Sequence, residues 1–292
     1  RELSSGIELF FAGQRRMSQR EKHEGKRKIM EGKNPLPFFK YKEVASKLLS
    51  ASEGGDECIF AHTFMLLTWN LMCRSVNTAD LRMSHMKWQE DSIGIVLTVT
   101  KSDQGGERNQ DPRNVYANPV CPEICPLLSL GLYFLCNTNN CSGSESESAE
   151  LLFPGGHQQK RFGRILHQYL SQSEKSSDYG THSIRKGSST YATSGRVEGP
   201  SIVSVCLRAG WSMGNVQDRY LRYEGASDQY VGRCVSGLPA GSEDFAAKPP
   251  HFMDISDNAD LMKVACECFQ TTWSLYCEMR TALLFFLASV CW

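Results

Sequence analysis

Through most of the chain apolar side chains recur every three or four positions, the spacing that lines one face of an α-helix. In KYKEVASKLLSAS the stripe is Val44, Ala45, Leu48 and Leu49, and Gly54 and Gly55 end it. From Cys58 to Met72 the chain is apolar nearly all round, which predicts a helix at the centre of a helical domain. CRSVNTADLRMSHMKWQ comes next, where Asn77 or Thr78 can cap a second short helix with Leu81 and Met86 as its apolar positions, leaving Arg74 in the junction between the two. LLSLGLYFLC reads as a helical apolar run. RFGRILHQYLSQS is amphipathic, with Phe162, Ile165, Leu166, Tyr169 and Leu170 on one side. Ile202, Val203, Val205, Cys206 and Leu207 make a short apolar helix that stops at Gly210, the stretch GASDQYVGRCVSGLPAG is turn-rich, and a last helix is expected from about Ala259 to Cys291.

One segment breaks this rhythm. SIGIVLTVTKSDQGGERNQDPRNVYANP alternates and is β-branched up to Thr100, turns through Asp103 to Gly106, and is extended again from Asn114 to Ala117. That is a β-hairpin pattern with Lys101 at the end of its first strand. The expected fold is therefore mainly α with a small antiparallel β-hairpin sheet. Residues 1–34 are polar and basic with no stripe wide enough for a core, and Pro35 and Pro37 punctuate the chain directly after them, so a boundary is expected near Asn34. Residues 35–238 would form the main domain and residues 239–292 a C-terminal linker and helical segment.

The chain has 292 residues, 41% hydrophobic and 22% charged, as in a soluble globular protein with a sizeable core, and its formal net charge is zero. Neutrality argues at first against a nucleic-acid partner. The charge is unevenly spread, however: Arg15 to Lys33 carries eight Lys or Arg against three Glu, while acidic residues gather in GSESESAE and near Asp254 to Asp260. Arg15, Arg16, Lys26, Arg27 and Lys28 in this basic segment are candidate DNA contacts. The tetrapeptide GKRK, Gly25 to Lys28, is too short to establish nuclear import. Twelve cysteines are scattered through apolar stretches, which suits reduced, mostly buried thiols better than a disulfide scaffold. Cys121, Cys125, Cys136 and Cys141 have spacing unlike the usual zinc knuckle, and no metal is assigned. The apolar tail TALLFFLASVCW is about half the ~20 residues a membrane span needs. It reads as a packed helix end or a partner-binding surface, and no membrane partner is expected.

The candidate chemistry lies between Thr181 and Tyr223. His182 and Arg185, three residues apart, share a helix face; Gly210 and Trp211 close the next helix; Tyr220 follows Trp211 by nine residues. Singly, each has a bland reading: a surface pair, a packed tyrosine, a solvated hairpin lysine, or an arginine capping helix carbonyls. Their order is more specific. H-x-x-R, Gly-Trp and a tyrosine nine residues on, preceded by a junction arginine and a hairpin lysine, resembles the catalytic domain of the tyrosine recombinase (phage-integrase) family. Around Arg74 the match is limited to the arginine, the apolar helix before it and the following leucine, with Asp80 where the family usually has Glu. Lys186 stands where many members have a second His and would add a phosphate contact, and Tyr223 is a competing nucleophile one turn beyond Tyr220.

The resemblance implies a DNA breaking and rejoining domain over roughly residues 38–235. Tyr220 would attack the phosphodiester to give a 3′-phosphotyrosyl intermediate, Arg74 and Arg185 would clamp the phosphate oxygens, and Lys101 would protonate the leaving 5′ oxygen. His182 would assist proton transfer, and Trp211 would donate its indole N–H and buttress the site. It implies no metal, nucleotide, other cofactor or small-molecule substrate. The working unit would be a tetramer on two sites in double-stranded DNA, exchanging a C-terminal helix between protomers. The flavour of GSSTYATSG and DQYVGR looks like the Crypton-like branch of eukaryotic mobile elements, hence a nuclear protein if eukaryotic and a cytoplasmic one otherwise. Residues 1–34 would be the end of a core-binding domain. Type IB topoisomerases share the chemistry and are the alternative, followed by a domesticated protein that binds DNA without cutting.

Overall fold

The computed structural model describes residues 32–51, 54–97, 111–137, 150–170, 178–195, 197–211, 225–253 and 258–292, with a few isolated positions before residue 32. The chain divides into two compact units, Arg1–Asn34 and Pro35–Trp292. In the first, Arg16 is exposed and Arg20 pairs with Glu24 at 2.9 Å. Arg15, Lys26, Arg27 and Lys28 lie outside the described residues.

The second unit is built around the apolar helix expected from the sequence. After α1 (Phe38–Leu49), helix α2 (Gly55–Asn70) is buried from Phe60 onward on every side, because α1 and three later helices cover it: α4 (Pro126–Cys136), α5 (Gln158–Leu170) and α6 (Thr181–Ser194). Aromatic rings fill the seams. Trp69 stacks on Tyr41 at 4.1 Å and donates its indole N–H to Val235 O at 2.9 Å, while Phe64 stacks on Phe162 at 4.5 Å. His62 is one of the buried polar residues of α2. Its Nε2 faces the Glu123 carbonyl at 2.9 Å, which can only accept, so Nε2 carries the hydrogen and Nδ1 accepts from the Ser129 hydroxyl at 2.8 Å.

The sheet has three antiparallel strands, β1 (Met86–Trp88), β2 (Ile93–Ile95) and β3 (Arg113–Val115). β2 and β3 form the expected hairpin, in the register Ile93↔Val115 and Ile95↔Arg113; its connection, with Lys101, is outside the described residues. β1 corrects the reading of Met86 as a helical position. Helix α3 (Ser75–Ala79) is shorter than expected, and its N-cap position is Arg74, so Asn77 and Thr78 lie inside it. Thr78 instead bonds Thr68 Oγ1 at 2.9 Å and Cys73 Sγ at 3.2 Å, which keeps its hydroxyl in the core.

Two further corrections concern the C-terminal part. After α7 (Ile202–Ala209), part of the turn-rich stretch forms helix α8 (Gly225–Val235), because Val231, Cys234 and Val235 find a core to enter. Gly232 makes this possible: a Cβ there would stand 2.5 Å from Asn114 O, so only glycine lets α8 lie on β3. The single last helix is two, α9 (Ala259–Leu275) and α10 (Arg280–Cys291), with a 3₁₀ turn at Cys277–Met279 between them. The apolar tail is packed: Leu283, Phe286 and Leu287 of α10 are buried and the helix lies on α4 of its own chain, with Phe285 stacked on Trp88 at 3.9 Å. No helix among the described residues is long and apolar enough to cross a membrane.

Burial pulls the His62 pKa from 6.5 down to about 4. Between these values the unfolded chain holds the proton and the folded one does not, so stability falls as pH drops from about 6.5 to about 4. The expected contribution is up to about 3 kcal/mol. Urea midpoints at pH 7, 5.5 and 4.5 check it, and His62→Gln should flatten this part of the profile.

Candidate active site

Helix α6 starts where Gly180 offers its N–H to Ser183 Oγ at 3.0 Å. Ser183, Ile184, Gly187 and Ser188 are buried, whereas His182 and Lys186 are exposed and Arg185 is half-buried between them. The H-x-x-R spacing thus does what helical geometry predicts, with the arginine the deeper of the pair. The other wall comes from α7. Ser201 caps it by accepting from Ser204 N at 3.1 Å, and Gly210 ends it in the left-handed region at φ 66°, a conformation glycine adopts freely. The chain turns there, so Trp211 emerges beside Arg185.

Arg185 joins the two walls. Its Nη2 donates to Ala209 O at 2.5 Å and its guanidinium lies 5.6 Å from the centre of the Trp211 ring. Its Nε is buried with no hydrogen-bond partner among the described residues. Burial, then the charge of Arg74, lower its pKa, with the Cys73 thiol acting in the opposite sense. Arg74 itself, half-buried at the N-cap of α3, brings a second guanidinium towards the same place. Two like charges drawn together, one with an unused N–H, make a site that an anion would stabilise. Trp211 is 40% exposed, so the site is open to solvent on its side.

Arg74, Arg185 and Trp211 are therefore brought together, with His182 one turn earlier on α6. Lys101, Tyr220 and Tyr223 lie outside the described residues. Of the four cysteines whose spacing was unlike a zinc knuckle, Cys121 donates to Glu123 Oε1 at 3.0 Å, Cys125 lies in the core and Cys136 ends α4 in an exposed position, while Cys141 is outside the described residues. No group of three metal-ligating side chains occurs among the described residues.

Sequence reasoning missed the group that holds these walls in place. Arg208, buried in α7, pairs with Asp228 of α8 at 2.5 Å and donates to Asn70 O at 2.9 Å and Asn114 O at 2.8 Å. Asp228 Oδ2 in turn accepts from Asn114 N at 2.8 Å and Asn114 Nδ2 at 3.0 Å. One guanidinium thus fixes the end of α2, β3, α7 and α8. The available signal was an arginine inside an otherwise apolar helix, directly before the Ala-Gly-Trp turn.

Three antiparallel strands and helices wrapped on a central apolar helix make up the fold seen in solved structures of tyrosine recombinases. Among solved structures, the chain is similar to a Flpe–Holliday junction complex (TM-score 0.57, 12% identity, covering 99% of this chain and 71% of that one). It is likewise similar to an FLP recombinase–Holliday junction complex (TM-score 0.56, 13% identity, 99% and 71%) and to a mutant Flpe–DNA Holliday junction complex (TM-score 0.58, 11% identity, 98% and 72%). This likeness is one of fold. By sequence, the chain matches no protein-family model and no curated protein.

Removing one partner of a buried ion pair leaves a charge with neither water nor counter-ion. Asp228→Ala is therefore expected to cost about 3–5 kcal/mol, read from chemical denaturation. Asp228→Leu combined with Arg208→Met should recover more than half of that loss in a double-mutant cycle.

Proposed function

We propose that the chain is a DNA strand transferase that cuts and rejoins double-stranded DNA through a 3′-phosphotyrosyl intermediate. The observation that carries this reading is the convergence of Arg74 and Arg185 beside Trp211, with Arg185 Nε buried and unpartnered, in a domain of recombinase fold. A phosphodiester supplies the anion such a pair lacks, and as negative charge builds on the non-bridging oxygens each guanidinium can hold it in fork geometry.

Tyr220 is the proposed nucleophile. Its Oη forms the bond to phosphorus as the bond from phosphorus to the 5′ oxygen breaks, and Lys101 gives that oxygen its proton. The phenol's ordinary pKa is about 10, so the neighbouring cations must favour the phenolate as it forms. His182, exposed beside Arg185, takes part in proton transfer or bonds the phosphate. Trp211 donates through its indole N–H and walls the site. Energy stored in the tyrosyl phosphate is returned when a 5′ hydroxyl attacks it, so the proposed reaction draws on no nucleotide, metal or other cofactor. Lys186 and the basic residues Arg15, Arg16, Lys26, Arg27 and Lys28 would bind DNA backbone.

The finer proposals come from resemblance. They are a tetramer on two DNA sites, recombination or integration on behalf of a Crypton-like mobile element, and, for a eukaryotic host, work in the nucleus.

Incubating the protein with nicked suicide duplexes should give a covalent protein–DNA adduct on a denaturing gel. Tyr220→Phe should abolish it, and loss in Tyr223→Phe alone would move the nucleophile to Tyr223. No adduct on any substrate from folded, DNA-binding protein would sink the proposal. Arg185→Ala and Arg74→Ala are each expected to slow adduct formation by about 10²–10³-fold, with DNA affinity changed far less.

A further inference from the structure

Behind the two site arginines stands a third, which has no ion pair of its own among the described residues. Arg113 opens β3, paired with Ile95, and its Nη1 donates to Leu71 O at 2.9 Å. Leu71 is the residue where α2 ends, just ahead of Arg74. The other arm of the fork reaches under the opposite wall: Nη2 lies 3.6 Å from where a Cβ on Gly210 would stand. The Arg113 side chain therefore spans from the junction that carries Arg74 to the turn that presents Trp211.

Its electrostatic setting is unusual. Arg113 has no ion pair among the described residues. Asp228 is close enough to act on it, but Oδ1 of that carboxylate is held by Arg208 and Oδ2 by Asn114. Burial, with the charges of Arg208 and Arg185, brings its pKa down to about 10, against the opposite pull of Cys73 and Asp228. At that value the guanidinium keeps its proton at neutral pH. Asp228 thus acts on both Arg113 and Arg208, while Arg185, itself repelled by Arg74, adds to the positive charge around Arg113, so the described residues here carry more guanidinium than carboxylate charge.

We propose that Arg113 is a positioning residue for strand cleavage, a guanidinium that fastens the Arg74 junction through the Leu71 carbonyl and adds a third positive charge beneath the scissile phosphate. The inference rests on the strand-transfer reading. Arg113 touches neither phosphate nor nucleophile in this scheme; it acts through Arg74 and Arg185, by fixing where they stand and by raising the potential in which phenolate and phosphorane form.

The test compares adduct formation by the full chain on nicked suicide duplexes between pH 6 and pH 10, for wild type, Arg113→Gln and Arg113→Lys, with thermal melting of each. Glutamine keeps a donor for the Leu71 carbonyl and removes the charge. It should slow cleavage about 10–100-fold and move the midpoint of the pH profile up by about one unit, because the phenolate loses a nearby cation. Lysine keeps the charge and should stay within about tenfold of wild type near neutral pH. Its cleavage should then fall at a lower pH than that of wild type, because a buried ammonium loses its proton well before the guanidinium it replaces. Glutamine at the wild-type rate and midpoint would overturn the assignment. So would a lysine variant whose cleavage falls no earlier in pH than that of wild type, a measurement that stands even where the glutamine variant does not melt cooperatively. Absence of an adduct from wild type would overturn the strand-transfer reading, and this one with it; an adduct from wild type with unaltered variants would overturn this one alone.

Discussion

The buried pair of Arg208 and Asp228 is the constraint on which the site depends. Taking two charges out of water is costly, and the cost is offset only when both are fully hydrogen-bonded. Here they are: the guanidinium reaches Asp228, Asn70 O and Asn114 O, while the carboxylate also holds Asn114 through its backbone and side-chain N–H groups. These contacts are directional, so they set the mutual placement of α2, β3, α7 and α8 more narrowly than apolar packing would. The residue after Arg208 is Ala209, whose carbonyl takes Arg185, and Trp211 follows two positions later. Any shift in the pair is passed to both walls of the site within three residues of chain.

The same cluster explains why the site is poised for an anion. A single carboxylate, Asp228, lies near both Arg208 and Arg113, and its ion pair goes to Arg208, the one farthest from solvent. Arg185 is left with the repulsion of Arg74 and with an N–H that faces no acceptor among the described residues. A ligand bearing negative oxygens would relieve repulsion and satisfy that donor together, both without moving the backbone. This is preorganisation in the usual sense: the unfavourable energy sits in the empty site and is released on binding.

The legible parts of the sequence were those governed by local rules. The all-apolar run of α2, the stripe of α5 and the hairpin alternation around Ile93 to Ile95 were each dictated by what neighbouring positions must bury. The parts that escaped depend on distant partners. α8 begins at a glycine and contains another, and it forms because Gly232 can meet Asn114 and Asp228 can meet Arg208. β1 has only three residues and gains its pairing from β2. The break between α9 and α10 follows Tyr276, where no glycine or proline announces it. For the site, H-x-x-R and Gly-Trp were readable because their spacing is helical and local. Arg113 and Arg208 were not, since an isolated arginine says nothing of its partner until the fold brings one.

The partners these arginines choose have an evolutionary side. Arg185 holds the carbonyl of Ala209, Arg113 that of Leu71, and Arg208 those of Asn70 and Asn114. Every residue type offers a backbone carbonyl, so exchanges at Ala209 or Leu71 leave the acceptor in place, provided the helix ends keep their course. Genetic drift on that side of each contact goes unpunished, and the burden of keeping the arrangement falls almost wholly on the arginine codons. Sequences far apart in identity can for that reason keep one geometry around these arginines, with only a handful of letters held in common.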